Sequence, residues 1–251
     1  MMRRLLSALA VLALSAAGPA LAVTGNAPPA TGWAARAIVM VVDRHGDLCT
    51  GTALTRDLVL TAAHCVAHGE PHTVRAFQTG AHVAVRAVAR HPRFNFESYT
   101  ASRATADVAL IKLAMPLPDI VVPAALAAAR RVKVGETLTI AGFGTTADGS
   151  ARGLGVPRMA RLTVTGIPGS LQIRLYDPAT RNARAGLGAC TGDSGGPAFD
   201  GEGPLVIGVV SWTTAAQNED GCGGLTGLTP LLNYRSWIID TAVKLHSPLA
   251  P

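Results

Sequence analysis

The stretch that decides the fold of this chain is ACTGDSGGP, residues 189–197. It places Asp193 and Ser194 among three glycines behind a cysteine, in a pattern that suits neither a helix nor a regular strand. Glycines adopt backbone angles closed to other residues and allow another segment to approach closely. A serine on such a turn is exposed beside backbone N–H groups, as a nucleophile and its anion-stabilising donors require. A Gly-Asp-Ser-Gly sequence by itself is more often a polar turn, so the assignment of a nucleophile depends on motifs elsewhere in the chain.

Length and composition favour a globular β protein. The 251 residues, of which 49% are hydrophobic, are enough for a sizeable core in one large or two small domains. Glycines and prolines are plentiful and long apolar helical patterns are scarce, which favours strands joined by many turns. The net charge is +6, but the arginines are scattered and no basic stripe is interleaved with aromatic residues. We therefore expect no nucleic-acid binding.

The first 22 residues predict a signal peptide. A short basic start is followed by an apolar run, a Gly-Pro break and the triplet Ala20-Leu21-Ala22, whose outer small residues suit signal peptidase. The alternative is a membrane anchor, but the apolar run is short for a span. We expect residues 1–22 to be removed and the mature protein to begin at Val23. It should then be secreted or periplasmic, without contact to a membrane.

Four cysteines in an exported protein predict two disulfides. The sequence allows three pairings, and the simplest joins the cysteines nearest in the chain: Cys49 with Cys65, and Cys190 with Cys222.

Histidines raise the competing possibility of a zinc site. Three of them recur every four residues: His64, His68 and His72. However, Gly69 and Pro71 interrupt the helix that would place them on one face, and no Cys-x-x-Cys accompanies them. We therefore expect no metal.

Most of the chain reads as short strands, and its end reads as a helix. Apolar and alternating runs separated by turn-rich segments continue through residue 230. In residues 233–246 the apolar positions recur at helical spacing instead. The Ala-rich segment 121–135 fits either a short helix or a crossing between two halves, and both alternatives stay open.

Two further motifs supply the partners that a serine nucleophile needs. A serine becomes reactive when a base takes its proton, and that base is usually a histidine oriented by a carboxylate. His64 lies in LTAAHC at the end of an apolar strand, and Asp107 begins the apolar strand DVALIKL. Each motif alone is weak, because a histidine beside a cysteine is more often structural and an aspartate before a strand more often belongs to a turn.

Together, LTAAHC, DVALIKL and GDSGGP resemble the three signatures of the trypsin/chymotrypsin family of serine endopeptidases, in that family's order. GVVSW and NYRSWI, at residues 208–212 and 233–238, match two more of its segments. The resemblance implies an all-β fold of two six-stranded antiparallel β-barrels with a C-terminal α-helix and the active site between the barrels. Residues 23–128 would form the first half and residues 129–251 the second. Richness in alanine, and in arginine over lysine, suggests a bacterial-type member.

The resemblance also assigns roles. His64 would be the general base, Asp107 would orient it, and Ser194 would attack the substrate. The N–H groups of Gly192 and Ser194 would form the oxyanion hole. We expect hydrolysis of polypeptides through an acyl-enzyme, by a monomer that needs no cofactor. The alternative is a non-catalytic exported binding protein on the same fold, which the complete set of three residues disfavours.

An activation mechanism follows from the same resemblance. In this family a freshly cut N-terminus inserts into the protein and its ammonium pairs with the aspartate before the nucleophile. Val23 would supply that ammonium and Asp193 the carboxylate. The start Val-Thr-Gly-Asn lacks the family's usual double glycine, and no separate propeptide precedes it.

The pocket positions predict the preferred substrate. Gly188 takes the place at the pocket floor where trypsin-like members carry an aspartate, so no buried carboxylate would pair with Lys or Arg. Thr213 and Thr226 would narrow the pocket, although a shift of one residue would put Gly227 on the wall instead. Cleavage is therefore expected after small or medium apolar residues. Three consecutive residues would present their backbone to the substrate as an added strand: Ser211, Trp212 and Thr213.

Overall fold

The computed structural model describes residues 23–249, so the predicted signal peptide lies outside the described residues. The first half contains α1 (Gly32–Ala37), β1 (Ile38–Asp43), β2 (Leu48–Ala53), β3 (Leu58–Thr61), β4 (His72–Arg75), β5 (His82–Arg90), α2 (Phe96–Thr100) and β6 (Ala109–Leu113). The crossing segment contains β7 (Ala125–Leu126). The second half contains β8 (Thr137–Gly142), β9 (Arg158–Gly166), β10 (Ile173–Tyr176), β11 (Pro197–Asp200), β12 (Leu205–Thr213), β13 (Thr226–Pro230) and α3 (Arg235–Lys244).

Strands β1–β6 close into an antiparallel barrel in the order β1-β2-β3-β6-β5-β4. Its interior is filled by apolar side chains such as Val39, Val59 and Ile111, which are fully buried. In the register between β3 and β6, Thr61 lies opposite Ala109. The residues that follow β3 and those that precede β6 therefore meet at one end of the barrel, and these segments carry His64 and Asp107.

Strands β8–β13 form a second closed barrel, since β11 pairs with both β8 and β12. Leu138, Leu162 and Leu175 lie in its core. The predicted fold of two six-stranded barrels with a C-terminal helix is thus confirmed. The short strand β7 precedes this barrel in the chain and adds to β12 in parallel. The division of the chain at residue 128 stays a prediction.

The helices differ partly from the sequence expectation. The predicted terminal helix is present as α3, and its Ile238 and Ala242 pack with Leu110 of the first barrel. The two short helices α1 and α2 were not predicted. The segment 121–135 forms no helix and instead crosses between the barrels with β7. No helix within residues 23–249 is long and apolar enough to span a bilayer.

A buried polar cluster ties the C-terminal tail to the first barrel. The Lys112 ammonium donates to the carboxylate of Asp57 and, over 2.5 Å, to Ser247 Oγ, which itself donates to Asp57 Oδ1 over 2.6 Å. Burial raises the pKa of Asp57, but the hydrogen bonds from Lys112 and Ser247 outweigh this effect and lower it below the usual value. A buried ammonium is costly unless it is paired and hydrogen-bonded, and Ser247 completes the set of partners for Lys112.

Candidate active site

His64 and Asp107 form a buried, directly bonded pair. His64 Nδ1 lies 2.7 Å from Asp107 Oδ2, and the His64 backbone N–H donates to Oδ1 over 2.9 Å. Ser211 Oγ donates a third hydrogen bond to the same carboxylate over 2.6 Å. Because a carboxylate can only accept, Nδ1 carries the imidazole proton and Nε2 is left as the basic nitrogen.

Tyr99 covers the imidazole of His64, which the sequence did not predict. The two rings are stacked, with centroids 4.3 Å apart and an interplanar angle of 10°. The Tyr99 hydroxyl donates to the Ser211 carbonyl over 3.4 Å. Burial, assisted by the nearby Asp107 charge, raises the pKa of Tyr99 well above its usual range, so this hydroxyl keeps its proton. The available signal was the aromatic run Phe94, Phe96 and Tyr99 shortly before Asp107.

The turn that carries Ser194 packs against the first barrel. Gly195 has a φ of +82°, and a Cβ there would lie 2.1 Å from Thr61 Oγ1 and 2.2 Å from the Thr50 carbonyl. Only glycine allows this approach. The Thr50 N–H also donates to the Ser194 carbonyl over 2.8 Å. These contacts fix Ser194 beside Thr61, the last residue of β3. Thr61 lies three residues before His64 in the chain.

Ser194 and His64 are not hydrogen-bonded to each other in the described part of the chain. His64 Nε2 instead lies 3.7 Å from Cys65 Sγ. Ser194 and Tyr99, whose ring covers His64, border the same cavity. Catalytic hydrogen bonds are often long without substrate and tighten in its complex.

Two backbone donors on the Ser194 turn are unengaged. Within residues 23–249 the N–H groups of Gly192 and Ser194 meet no acceptor, whereas Asp193 N donates to Cys190 O and Gly195 N to Val210 O. Gly192 has a φ of +96°, which favours glycine. The turn can therefore offer two N–H groups to an anionic oxygen.

Asp193 holds this turn from the inside. Its side chain is buried and accepts hydrogen bonds from the N–H groups of Gly144 and Cys190, each over 2.8 Å. A Cβ on Gly142 or Gly144 would overlap the carboxylate. Burial raises the pKa of Asp193 to about 7 even though both backbone hydrogen bonds oppose the shift. Among the described residues, no cation lies within ion-pair distance of it.

Val23 and Thr24 pack against the second barrel. Val23 is fully buried, and the Thr24 N–H donates to the Gly188 carbonyl over 3.0 Å. Gly25 has a φ of +81° and packs directly on Gly186. Because Val23 follows residue 22 in this chain, its nitrogen is an amide rather than an ammonium.

The four cysteines form two disulfides, Cys49–Cys65 and Cys190–Cys222, which are the pairs nearest in the chain. The first lies beside His64. Each grouping of potential metal ligands in the described residues includes both cysteines of one disulfide, and disulfide sulfurs are not thiolates.

A cavity of about 360 Å³ opens beside Ser194. Ala189 and Thr213 are among the residues that border it, whereas Gly188 and Thr226 do not. Thr213 Oγ1 donates to the Ala189 carbonyl over 2.8 Å, and Thr226 Oγ1 accepts from the Ala189 N–H over 2.9 Å. Both threonines thus hold the backbone of Ala189, which borders the cavity.

Thr226 lies opposite Thr213 in the pairing of β12 and β13. The next residue, Gly227, lies against the Trp212 side chain, and a Cβ there would come within 1.9 Å of the ring. Neither Thr226 nor Gly227 is among the residues that border the cavity, so the residue on this wall stays a prediction.

The sequence model of the trypsin family matches residues 22–238. The chain therefore belongs to the trypsin family, and it is a serine endopeptidase. It is 28% identical over 218 residues to the snake venom serine protease rhinocerase 4 of Bitis rhinoceros, a match covering 81% of each chain. It is 30% identical over 210 residues to trypsin alpha of Drosophila erecta, covering 77% of each.

Solved structures share the fold. Human heparin binding protein superposes with a TM-score of 0.70 at 20% identity, over 90% of this chain and 100% of that one. Mouse neuropsin, a serine protease, superposes with a TM-score of 0.69 at 23% identity, over 86% of this chain and 98% of that one. At these identities the likeness concerns the fold alone.

Proposed function

We propose that the chain hydrolyses peptide bonds with Ser194 as the nucleophile, His64 as the base and Asp107 as the group that orients the base. The observation that carries this proposal is the 2.7 Å contact between His64 Nδ1 and Asp107, which leaves Nε2 as the basic nitrogen. The unengaged N–H groups of Gly192 and Ser194 support it, because they are the donors that the reaction needs.

The steps follow from these positions. His64 Nε2 takes the Ser194 proton while Oγ forms a bond to the substrate carbonyl carbon, and the oxygen charge is received by the N–H groups of Gly192 and Ser194. His64 then gives the proton to the leaving amine, which leaves an acyl-enzyme. A water molecule deprotonated by His64 hydrolyses this ester and restores Ser194. Each oxyanion donor typically contributes about 3 kcal/mol of transition-state stabilisation.

A serine-directed phosphonate tests the proposal. It should label Ser194 alone, and Ser194→Ala should lower kcat at least ~10⁴-fold. Ser236→Ala, at an exposed serine of α3, is the matched control and should retain full activity. Cleavage by the Ser194→Ala variant at the original rate would refute the mechanism. Absence of any cleavage by the unaltered protein would favour the non-catalytic binding alternative.

We further propose that cleavage follows small or medium apolar residues. The position of Thr213 supports this, since its side chain borders the cavity and donates to the Ala189 carbonyl, while Thr226 Oγ1 accepts from the Ala189 N–H. No carboxylate side chain is among the residues that border the cavity. Each well-buried methylene contributes about 1 kcal/mol, so selectivity among Ala, Val and Leu should be modest. Cleavage profiling on a peptide library measures it, and a dominant preference for Arg or Lys would overturn the idea.

We also propose that removal of residues 1–22 activates the protein. Two observations support this: Asp193 is buried and has no cation among residues 23–249 within ion-pair distance, and Val23 has a φ of +50°, an unfavourable angle for a β-branched residue. Cleavage before Val23 would create an ammonium for Asp193 and remove the constraint on φ, since that angle requires a preceding carbonyl. N-terminal sequencing of active protein should read Val-Thr-Gly-Asn. A start well downstream, such as Ala37, would exclude the proposal.

The remaining expectations concern the setting of the protein. We propose a secreted or periplasmic monomer that acts on polypeptides and requires neither metal nor cofactor. The relatives named above come from a snake and a fly, so bacterial origin stays a prediction from composition alone. Fractionation of the producing cells and analytical ultracentrifugation measure location and oligomeric state, and a membrane-bound or dimeric protein would contradict these expectations.

A further inference from the structure

A second cavity lies on the outer face of the second barrel, close to Trp212. Its volume is about 490 Å³. It is bordered by Thr165, Gly166, Ile167, Pro168, Arg174, Tyr176, Arg181, Asn182 and Leu225. None of these residues belongs to the site described above, and we call the cavity the arginine groove.

The strand registers explain why the arginine groove exists. Arg174 of β10 lies opposite Gly166 on one side and Gly227 on the other, and Gly227 lies opposite Trp212. These four residues form one cross-strand row in which the two glycines leave gaps. Directly paired residues share a face of the sheet. The Arg174 and Trp212 side chains therefore meet above Gly227, and no side chain fills the space above Gly166.

The charges of the groove are uncompensated. The Arg174 guanidinium lies 5.9 Å from the centre of the Trp212 ring, which is within the range of a cation–π contact. Neither Arg174 nor Arg181 forms an ion pair with any described residue, and no carboxylate side chain borders the groove. Contact with the indole restricts Arg174 while its N–H donors stay available. A guanidinium in this state suits a carboxylate, which it can bind through two parallel hydrogen bonds.

The groove is connected to the reaction through Trp212. Trp212 borders the cavity of Ser194, and Arg174, which borders the groove, lies over its ring. A substrate added as a strand along residues 211–213 would rise by about 3.3 Å per residue. With the residue before the scissile bond opposite Ser211, the third and fourth residues before that bond reach Thr213 and the groove beyond Trp212.

We propose that the arginine groove binds an acidic side chain, Asp or Glu, at the third or fourth residue before the scissile bond. This inference rests on the proposed function, since it assumes that substrates add along residues 211–213. Arg174 is the principal contact and Arg181 a second one. The protein then selects peptides that combine a small apolar residue at the cleavage point with a carboxylate upstream.

Paired peptide substrates test the groove. Two peptides that differ only by Glu or Gln at the third position before an Ala cleavage point, and a second pair at the fourth, are compared by kcat/KM. The unaltered protein should prefer Glu at one of these positions about threefold to tenfold, mainly through KM, and the preference should decrease with salt. Arg174→Gln should reduce the ratio of Glu to Gln peptide cleavage to about one. Arg86→Gln, an exposed arginine of the first barrel, removes the same charge and should leave the ratio unchanged.

The outcomes separate this inference from the proposed function. Equal cleavage of Glu and Gln peptides by the unaltered protein would overturn the groove proposal and leave the Ser194 mechanism intact. An equal loss of preference in Arg174→Gln and Arg86→Gln would also overturn it, because net charge would then be the cause. If heparin competed with cleavage in an Arg174-dependent way but Glu gave no advantage, the groove would be a polyanion site and the peptide proposal would be wrong. Failure of the form that begins at Val23 to cleave any peptide would refute the proposed function itself.

Discussion

The two barrels contribute to the active site in different ways. In the first, the positions of His64 and Asp107 follow from the pairing of β3 with β6, and three hydrogen bonds to Asp107 complete the arrangement. In the second, Ser194 lies on a turn between strands, and the turn is held by the buried carboxylate of Asp193. The first half therefore depends on strand register, while the second depends on a buried carboxylate that pairs with no cation of the described residues.

This difference indicates which half can be regulated. Strand pairing is present as soon as the barrel folds, so the base is oriented in the uncut chain. An ionised Asp193 without a partner is costly, so the donors on the Ser194 turn are the part that an added ammonium would stabilise. The following experiments perturb each half in turn.

The largest effect is expected from the first barrel. Asp107→Asn keeps the shape of the pair but stabilises the wrong tautomer of His64, so kcat should fall about 10⁴-fold. Steady-state kinetics on a cleaved peptide measure this loss. Asp57→Asn, which alters a carboxylate of the same barrel away from the cavity, is the control and should affect stability rather than kcat. A decrease of less than tenfold in Asp107→Asn would show that Asp107 does not orient the base.

The second prediction concerns Asp193 and pH. In a form that keeps one residue before Val23, the folded pKa of about 7 exceeds the ordinary value of 3.8. The folded state then binds the proton more tightly, so the resulting stability is complete below about pH 4 and is lost as the pH rises through 7. Between pH 5 and pH 8 the free energy of unfolding should fall by about 3 kcal/mol relative to the same form with Asp193→Asn. Urea unfolding at both pH values measures it.

The form that begins at Val23 sharpens this result. Its ammonium should pair with Asp193 and lower the pKa of the carboxylate, so that the loss of stability disappears. If both forms lost stability equally between pH 5 and pH 8, Val23 would not be the partner of Asp193, and the contrast between the two halves would need another explanation.

The smallest effect is expected at the pocket, where both threonines to be changed belong to the second barrel. Thr213→Gly combined with Thr226→Gly removes both hydrogen bonds to Ala189 and deepens the cavity. The ratio of kcat/KM for Phe over Ala peptides should rise about tenfold. The double change to serine keeps the hydroxyl groups and should shift the ratio much less. An unchanged ratio in the glycine variant would place the limit to substrate size elsewhere.

Local signals made part of this structure predictable. The strands, the terminal helix and the two-barrel fold followed from apolar runs and from three motifs whose order is specific. Tyr99 could not be placed, because α2 lies in a segment without apolar periodicity and its contact with His64 depends on tertiary packing. Arg174 could not be singled out either, since its place in the arginine groove depends on the strand register that pairs it with Gly166 and Gly227. The segment 121–135 stayed ambiguous because a two-residue parallel strand such as β7 has no sequence pattern of its own.

The cluster of Lys112, Asp57 and Ser247 has a consequence for how the protein is made. If the protein is exported as proposed above, its amino end emerges first, so the first barrel is outside long before residue 247. Until the last residues follow, Lys112 lacks two of its three hydrogen-bond partners, the His246 carbonyl and the Ser247 hydroxyl, and α3 cannot cover its part of the barrel. We therefore expect the first barrel to mature only once translocation is complete, which would delay proteolytic activity until the whole chain is free. A chain ending at Leu245 checks this by limited proteolysis: the first barrel should be digested faster than in the full chain, and equal rates would exclude such a delay.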